Sequence, residues 1–193
     1  MSSAHSHPFI LPYVALPNAF TPQELDAIER LGDGLAAGKA TIGERPQEDQ
    51  YADIRVTQTA WITQDASTSW LYERVTGLVQ SFNTHFYQFE LTGYSDPFQY
   101  AVYQSHEGGH YGWHVDHGLH AVPRKLSLSL QLSDPASYEG CDLQMYVSDR
   151  IETAPRERGT LIAFPSWVLH RVTPILSGTR KAMVVWAAGP KFR

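Results

Sequence analysis

The chain of 193 residues lacks several features that define large classes of proteins. Cys141 is the only cysteine, which excludes an internal disulfide and a metal site built from several cysteine ligands. Lys and Arg number 15 against 20 Asp and Glu, with no basic block, which argues against nucleic acid as a partner. The longest apolar run, residues 182–188, is far too short to span a bilayer. Any metal ligands must therefore be histidines and carboxylates.

The length and the N-terminal composition add expectations about organisation and location. At 193 residues and 42% hydrophobic composition, the chain is expected to form one well-buried domain. The first basic residue is Arg30, so the basic region of a secretory signal is missing and a cytoplasmic location is expected, with no membrane partner. No heptad or symmetric repeat indicates an oligomeric state.

The first half of the chain is predicted to contain two helices. Residues 8–20 carry three prolines and predict an extended arm or edge strand. Thr21-Pro22-Gln23-Glu24 then combines a capping box with Pro at the first helical position, which predicts a helix from Pro22 to about Leu35. From Thr68, apolar residues recur at helical spacing and predict a second, amphipathic helix that ends before Gly93.

The second half is predicted to be rich in strands. Runs with period-two alternation are separated by turn residues, and they are Phe98–Gln104, Tyr111–Asp116, Leu126–Leu132, Leu143–Val147, Thr160–Phe164, His170–Thr173 and Lys181–Ala187. A weaker strand is indicated at Trp61-Ile62. Two helices followed by about eight strands predict an α+β, mainly β fold, a sandwich or barrel with the helices covering one sheet.

One strand has two contrasting faces. Leu126, Leu128, Leu130 and Leu132 alternate with Ser127, Ser129 and Gln131. The leucines would support the helices. The polar face would line a ligand pocket or, in the simpler interpretation, face water.

The most informative motif is His114-x-Asp116, at the end of Y-Q-S-H-E-G-G-H-Y-G-W-H-V-D. Side chains two residues apart on a strand point to the same face, so one metal could bind both. His170 is the best candidate for a second imidazole, and two imidazoles with one carboxylate favour non-haem Fe(II) and oxygen chemistry. Ten residues later, Arg180 has the planar fork that binds carboxylates, although an ordinary ion pair would also explain it.

The joint motif, H-x-D, then a distant H, then R ten residues on, lies partly within R-G-T-L-I-A-F-P-S-W-V-L-H-R-V-T-P-I-L-S-G-T-R-K-A. It resembles the iron- and 2-oxoglutarate-dependent dioxygenases, closest to the prolyl 4-hydroxylase-like branch found widely in bacteria, over about residues 98–190. The resemblance implies a double-stranded β-helix, a jelly-roll or cupin-like barrel, with the two helices packed on the major sheet. Residues 1–97 would supply the arm and supporting helices of this single dioxygenase domain, and 98–190 its core.

The resemblance also implies roles for individual residues. His114, Asp116 and His170 would bind iron, and Arg180 would hold the distal carboxylate of 2-oxoglutarate. Tyr103 stands where this branch often has a tyrosine hydroxyl bonded to the same cosubstrate. Gln131 stands where prolyl hydroxylases often carry a tyrosine, which is a departure from the pattern, as is Gly140-Cys141 where relatives commonly have paired glycines.

The implied reaction couples oxidative decarboxylation of 2-oxoglutarate, to succinate and carbon dioxide, with hydroxylation of a substrate. Fe(II), 2-oxoglutarate and O2 are the implied cofactor and cosubstrates, with ascorbate as a stimulant. The leading substrate is a prolyl residue in a protein or peptide, and the alternative is a free amino acid or other small metabolite. Trp113, His117 and Trp167 lie near the ligands in sequence and are candidate substrate residues, although core packing would also explain the tryptophans.

Two other functions are compatible with parts of the sequence. His106-Glu107-Gly108-Gly109-His110 matches the zinc motif H-E-x-x-H, but that chemistry needs a helix, which paired glycines disfavour. A non-enzymatic β-sandwich that binds a metal or sugar would explain H-x-D but not Arg180. The extra histidines, at positions 106, 110, 117 and 120, are expected in a solvated loop or at a pocket rim, and the role of Cys141 stays open.

Overall fold

The computed structural model describes residues 11–35, 38–39, 54–117 and 122–191. Two α-helices occur in these ranges, α1 (Pro22–Asp33) and α2 (Ser69–Phe82). The strands are β1 (Val14–Leu16), β2 (Gly38–Lys39), β3 (Arg55–Val56), β4 (Gln58–Ile62), β5 (Gly93–Tyr94), β6 (Phe98–Gln104), β7 (His110–His114), β8 (Arg124–Gln131), β9 (Tyr138–Gly140), β10 (Leu143–Val147), β11 (Arg150–Thr153), β12 (Leu161–Pro165), β13 (His170–Val172) and β14 (Ile175–Ala188). Residues 8–10 of the predicted arm, and His120, lie outside the described ranges.

Both predicted helices form. The capping box at the start of α1 is present, because the Thr21 hydroxyl accepts a hydrogen bond from the Glu24 N–H at 3.2 Å while the Glu24 carboxylate accepts one from the Thr21 N–H at 2.7 Å. The helix ends at Asp33, two residues before the predicted end, and Gly34 caps it. The α2 helix continues into a π-helical turn, Asn83–Tyr87.

The strands form two antiparallel sheets. The large sheet has nine strands, ordered β1-β12-β8-β14-β6-β4-β2, with β5 and β9 also pairing with β14. The small sheet has five strands, ordered β11-β10-β13-β7-β3. Two helices and two antiparallel sheets confirm the α+β, mainly β prediction.

Two buried clusters show how the layers pack. One joins α1 and α2 to the outer face of the large sheet, where Tyr72 stacks on Phe98 with 3.9 Å between ring centroids. Leu126, Leu128 and Leu130 of β8 and Leu132, which follows the strand, belong to this cluster, as predicted. The second cluster fills the space between the sheets and includes Tyr103, Met145 and Phe164. Ser127, Ser129 and Gln131 are all buried on the side away from the helices, so the polar face of β8 does not face water.

The end of the chain differs from the prediction. A turn was expected at Ser177-Gly178, but β14 is one strand of 14 residues that changes partners there. Its first part pairs with β9, and from Thr179 it pairs with β6. Gly178 has a φ of 76°, and a Cβ at this position would lie 2.1 Å from the Ser137 carbonyl oxygen, so only glycine fits this crossing. Among the described residues, no helix has the length and apolar character needed to cross a membrane.

Candidate metal centre

The structure brings His114, Asp116 and His170 together between the two sheets. His114 ends β7 and His170 begins β13, and the two are paired across these strands with ring centroids 4.1 Å apart. The Nε2 atoms of His114 and His170 lie 3.7 and 3.6 Å from the two carboxylate oxygens of Asp116. All three potential ligand atoms lie within 4.8 Å of one another, so a single ion could contact each of them.

Backbone carbonyls fix the orientation of both imidazoles. Nδ1 of His114 lies 2.8 Å from the Gly112 oxygen, and Nδ1 of His170 lies 2.9 Å from the Val168 oxygen. A carbonyl oxygen can only accept a hydrogen bond, so each Nδ1 carries the ring proton and is the hydrogen-bond donor. Each Nε2 lone pair is therefore free to bind a metal, which is the usual arrangement around a ligating histidine.

The charges in the cluster also suit a metal. Burial and the neighbouring His170 lower the pKa of His114 to about 3, so this ring is neutral at physiological pH. Burial opposes ionisation of Asp116, but His170 and His114 together with hydrogen bonds to the carboxylate lower its pKa overall. The cluster thus offers two imidazole nitrogens and a carboxylate, the donor set that suits non-haem Fe(II).

The two residues of the H-x-D motif are not held by one strand, contrary to the sequence-based argument. The strand ends at His114, and Asp116 lies in the bend that follows. Its backbone N–H donates a 2.8 Å hydrogen bond to the Ser166 carbonyl, and its carboxylate accepts one from the Ser127 hydroxyl. Contacts from distant segments therefore set the position of Asp116.

Arg180, Tyr103 and Gln131 form a second group in the interior. Arg180 pairs with Tyr103 across β14 and β6, and its Cζ lies 5.5 Å from the centre of the tyrosine ring. Its Nη2 and Nε donate to the Gln131 side-chain oxygen at 2.8 and 3.3 Å. Burial raises the pKa of Tyr103, so the hydroxyl stays protonated.

The charge of Arg180 is not balanced by a carboxylate in the described part of the chain. Its side chain is 1% exposed, and no Asp or Glu there lies within ion-pair distance. A buried charge is costly unless it is paired. The buried Arg180 guanidinium could therefore pair with a bound anion.

The three candidate substrate residues take different positions. Trp113 packs against Tyr146 and Arg171, on the face of the small sheet opposite to His114 and His170, so its position gives no support to a substrate role. The reason is the strand alternation itself, which turns residue 113 away when residue 114 points inward. Trp167 is partly exposed beside Phe89, with 5.3 Å between ring centroids. His117 lies with Nδ1 3.2 Å from the Arg124 carbonyl oxygen.

The H-E-x-x-H segment does not form a helix. Ser105–Glu107 is a single 3-10 turn, Gly108 has a φ of 71°, and His110 already belongs to β7. The Glu107 carboxylate accepts a hydrogen bond from Gln58 at 2.8 Å. His106 and His110 therefore do not have the helical spacing on which the zinc motif depends.

Sequence reasoning missed several residues around the metal centre. Tyr111 stacks on His114 with 3.5 Å between ring centroids, and Arg55 lies above Tyr111. Ser127 and Ser166 are joined by a 2.9 Å hydrogen bond next to Asp116. The only signal for any of these was the polar face of β8, which pointed to Ser127.

Comparison with known proteins agrees with this geometry. Residues 98–188 match the model of the 2OG-Fe(II) oxygenase superfamily, a stretch that contains the three clustered residues and Arg180. The name of this superfamily refers to 2-oxoglutarate, Fe(II) and an oxygenase reaction, which agrees with the cofactor and cosubstrates that the sequence resemblance implied. The His-Asp-His cluster fits an iron site.

Similar sequences confirm the resemblance to the prolyl 4-hydroxylase-like branch. A PKHD-type hydroxylase from Teredinibacter turnerae is 40% identical over 85 residues, covering 41% of this chain and 38% of that protein. One from Burkholderia ambifaria is 27% identical over 184 residues, covering 90% and 77%. The chain spans less than half the length of the relatives from Teredinibacter turnerae and Shewanella baltica.

Solved structures share the fold. A prolyl-4-hydroxylase from Pseudomonas putida has a TM-score of 0.72 at 20% identity, covering 93% of this chain and 94% of that one. A prolyl hydroxylase from Trichoplax adhaerens, in complex with a peptide fragment of the hypoxia inducible factor oxygen degradation domain, has a TM-score of 0.73 at 18% identity, covering 92% and 83%.

Proposed function

We propose that the protein is an Fe(II)- and 2-oxoglutarate-dependent hydroxylase. The observation that carries the proposal is the convergence of two imidazoles and one carboxylate in the interior, where a buried arginine also lies with no carboxylate at ion-pair distance among the described residues. The two sheets that enclose them would be the major and minor sheets of a double-stranded β-helix. Residues 1–97 supply β3 and β4 to these sheets and both helices to the core, which supports a single functional domain.

In this proposal His114, Asp116 and His170 would hold the iron. Bound iron would supply the activation of O2 for oxidative decarboxylation of 2-oxoglutarate and hydroxylation of the substrate. The chain's own residues keep the ligands in place. The Gly112 and Val168 carbonyls hold the imidazole tautomers, and the Ser127 hydroxyl holds the Asp116 carboxylate.

Arg180 would bind the distal carboxylate of 2-oxoglutarate. Its fixed fork offers parallel, charge-assisted hydrogen bonds to a carboxylate, and Gln131 holds the guanidinium in place from one side. Tyr103, packed beside Arg180, would donate a hydrogen bond from its hydroxyl to the same carboxylate. Gln131 would contribute by holding the Arg180 guanidinium, and not by contacting the cosubstrate itself.

The leading substrate is a prolyl residue of a protein or peptide, and the second candidate is a free amino acid or other small metabolite. The prolyl hydroxylases from Pseudomonas putida and Trichoplax adhaerens, the latter solved with a peptide, support the first. The partly exposed Trp167 beside the Ser166 turn, and His117 after Asp116, would lie at the substrate entrance.

An anaerobic titration tests the proposal. Fe(II) and then 2-oxoglutarate are added to the apo protein, and the visible charge-transfer band of a keto acid chelated to ferrous iron is followed. We expect the band in the wild type, its loss in His114→Ala, and its retention in His106→Ala, which removes an imidazole from the 3-10 turn outside the cluster. An unchanged wild-type spectrum would favour the non-enzymatic binding module.

A further inference from the structure

We propose that Arg55 binds a carboxylate of the primary substrate and thereby determines specificity. The inference rests on the proposed function, because it assigns a substrate group to the same site. It concerns a residue outside the matched stretch 98–188.

Arg55 lies one aromatic ring away from the candidate metal centre. It begins β3 and pairs with Tyr111 across β3 and β7. Its Cζ lies 4.5 Å from the centre of the Tyr111 ring, and that ring stacks on His114 with 3.5 Å between centroids. The arginine, the tyrosine and the histidine therefore form one stack that ends at a potential metal ligand. Substrate held by Arg55 would be near the reacting centre.

The hydrogen-bonding capacity of Arg55 is only partly used. Nη2 donates to the side-chain oxygen of Gln99, a neutral residue of the large sheet, at 2.8 Å. Nε is buried and has no hydrogen-bond partner within the described ranges. A buried donor without a partner is costly, which indicates a missing acceptor.

The charge of Arg55 also lacks a counterion among the described residues. Three of the six buried or partly buried arginines there contact a carboxylate, namely Arg124 with Asp96, Arg156 with Asp142 and Arg158 with Asp26 and Glu29. Arg55, Arg171 and Arg180 have none within ion-pair distance; Arg171 lies on the outer face of the small sheet, whereas Arg55 and Arg180 point between the sheets. Since Arg180 is assigned to the cosubstrate, Arg55 is left for the substrate.

Arg156, over the Tyr138 ring, also has an Nε without a partner although it pairs with Asp142, whereas Arg171 combines stacking with a satisfied Nε. On the outer face of the small sheet, its Cζ lies 4.6 Å from the centre of the Trp113 ring, and its Nε donates to the Gln144 oxygen at 2.9 Å. Arg171 thus contacts an aromatic ring and a glutamine, as Arg55 does, but its Nε has a hydrogen-bond acceptor. Arg171 is therefore a natural control.

A carboxylate is the group that fits a single guanidinium best. Nε–H and a neighbouring Nη–H lie on one edge of the planar fork, at the spacing of two carboxylate oxygens. The carboxylate could be the α-carboxylate of a free amino acid or chain end, or an acidic side chain next to the hydroxylated residue. Both sources present the same carboxylate group to Arg55, and matched acid and amide ligands can distinguish between them.

The test measures binding to the full chain loaded anaerobically with Fe(II) and 2-oxoglutarate. Calorimetry would compare three acid–amide pairs: L-proline with L-prolinamide, N-acetyl-L-proline with its amide, and acetyl-Pro-Asp-amide with acetyl-Pro-Asn-amide. We expect the acid of at least one pair to bind about tenfold or more tightly than its amide. Arg55→Gln should abolish that preference, Arg55→Lys should retain part of it, and Arg171→Gln should leave it unchanged.

The pair that shows the preference identifies the source of the carboxylate. Preference in the first two pairs indicates an α-carboxylate, and preference only in the third indicates an acidic side chain. Equal binding within every pair, no binding of any acid, or a preference that survives Arg55→Gln would overturn the proposal. The charge-transfer band distinguishes failure of the Arg55 proposal from failure of the proposed hydroxylase function. Absence of the band from the wild type would overturn the hydroxylase function. Presence of the band in Arg55→Gln would show that the metal and cosubstrate site of this variant is intact.

Discussion

The hydroxyl of Ser127 donates a 2.8 Å hydrogen bond to Oδ2 of Asp116, which lies outside the strand that carries His114. Because this uses the only proton of Ser127, the 2.9 Å contact between the two serine hydroxyls must be donated by Ser166. The carbonyl of Ser166 also accepts the backbone N–H of Asp116. Two buried serines from separate segments therefore hold Asp116, Ser127 through the carboxylate and Ser166 through the backbone N–H.

Ser127→Ala should weaken metal binding by about 10- to 100-fold, because partners of a ligand that fix its orientation have effects of this size. The substitution removes one hydroxyl from a fully buried position and leaves all three proposed ligands in place. Titration with Mn(II), followed by electron paramagnetic resonance, would measure the affinity without turnover.

Ser129→Ala is the matched control for that measurement. Ser129 lies on the same face of β8, two residues further on, and is also buried. None of the described triad residues is hydrogen-bonded to it. Equal losses in the two variants would show that Ser127 acts through general packing and not through Asp116.

Arg180→Gln should weaken 2-oxoglutarate binding with little effect on the metal. Removing one partner of a buried charge pair costs about 2–5 kcal/mol, or roughly 30-fold to several thousandfold in affinity. Calorimetric titration of the apo protein with Mn(II), and then with 2-oxoglutarate, would report both affinities. Arg158→Gln, which removes an arginine paired with Asp26 and Glu29 near α1, serves as the control.

A second variant, which keeps Arg180, tests the same prediction if Arg180→Gln does not fold. Gln131→Met keeps the arginine and removes the oxygen to which Nη2 and Nε donate. We expect a smaller loss of 2-oxoglutarate affinity, of about tenfold, since the guanidinium loses orientation but keeps its charge. Unchanged cosubstrate affinity in both variants would remove Arg180 from the cosubstrate site.

Much of the fold could be predicted from local sequence signals. The capping box placed the start of α1 correctly, because its two hydrogen bonds involve only Thr21 and Glu24. The alternation in β8 predicted both of its faces. The continuous strand β14 could not be predicted, because the crossing at Gly178 depends on a backbone from another segment, at Ser137. Two-residue strands such as β3 carry no periodicity at all.

The candidate site also contains residues that could be predicted from the sequence and residues that could not. The proposed metal ligands could be predicted because histidine and aspartate side chains themselves can bind a metal. Their supports could not be predicted, because a serine, a carbonyl oxygen or the Arg55–Tyr111 contact acquires its role only from segments that are distant in sequence. Trp113 was a candidate through sequence proximity alone, and strand alternation placed it on the other face of the sheet.

Glu107→Gln should leave metal content and any 2-oxoglutarate turnover within about twofold of the wild type. Glu107 lies in a 3-10 turn and accepts a partly buried hydrogen bond from Gln58 of β4, and a single hydrogen bond to a charged group contributes only about 1.5–3 kcal/mol to stability. Metal analysis after anaerobic loading, with Asp116→Asn as the opposite case, would measure this. A loss of bound metal in Glu107→Gln alone would revive the zinc motif.

The packing of α1 on the large sheet gives a prediction about stability. Gly32 lies in the buried face of α1, and a Cβ placed there would lie 2.4 Å from the Tyr100 ring. The ring cannot retreat freely, because it is buried and its hydroxyl donates a 2.8 Å hydrogen bond to Asp33. Gly32→Ala should therefore lower the free energy of unfolding by about 1–3 kcal/mol, the usual cost of overpacking, as measured by urea denaturation.

Gly77→Ala provides the opposite case in α2. A Cβ at Gly77 would meet nothing within 4 Å, so the substitution adds no clash and should raise the free energy of unfolding by up to about 1 kcal/mol through helix propensity. The two substitutions are chemically identical, and both lie within helices. Opposite signs would therefore show that the Gly32–Tyr100 contact holds α1 against the sheet, whereas a gain of stability in both variants would mean that α1 can move away from Tyr100 at little cost.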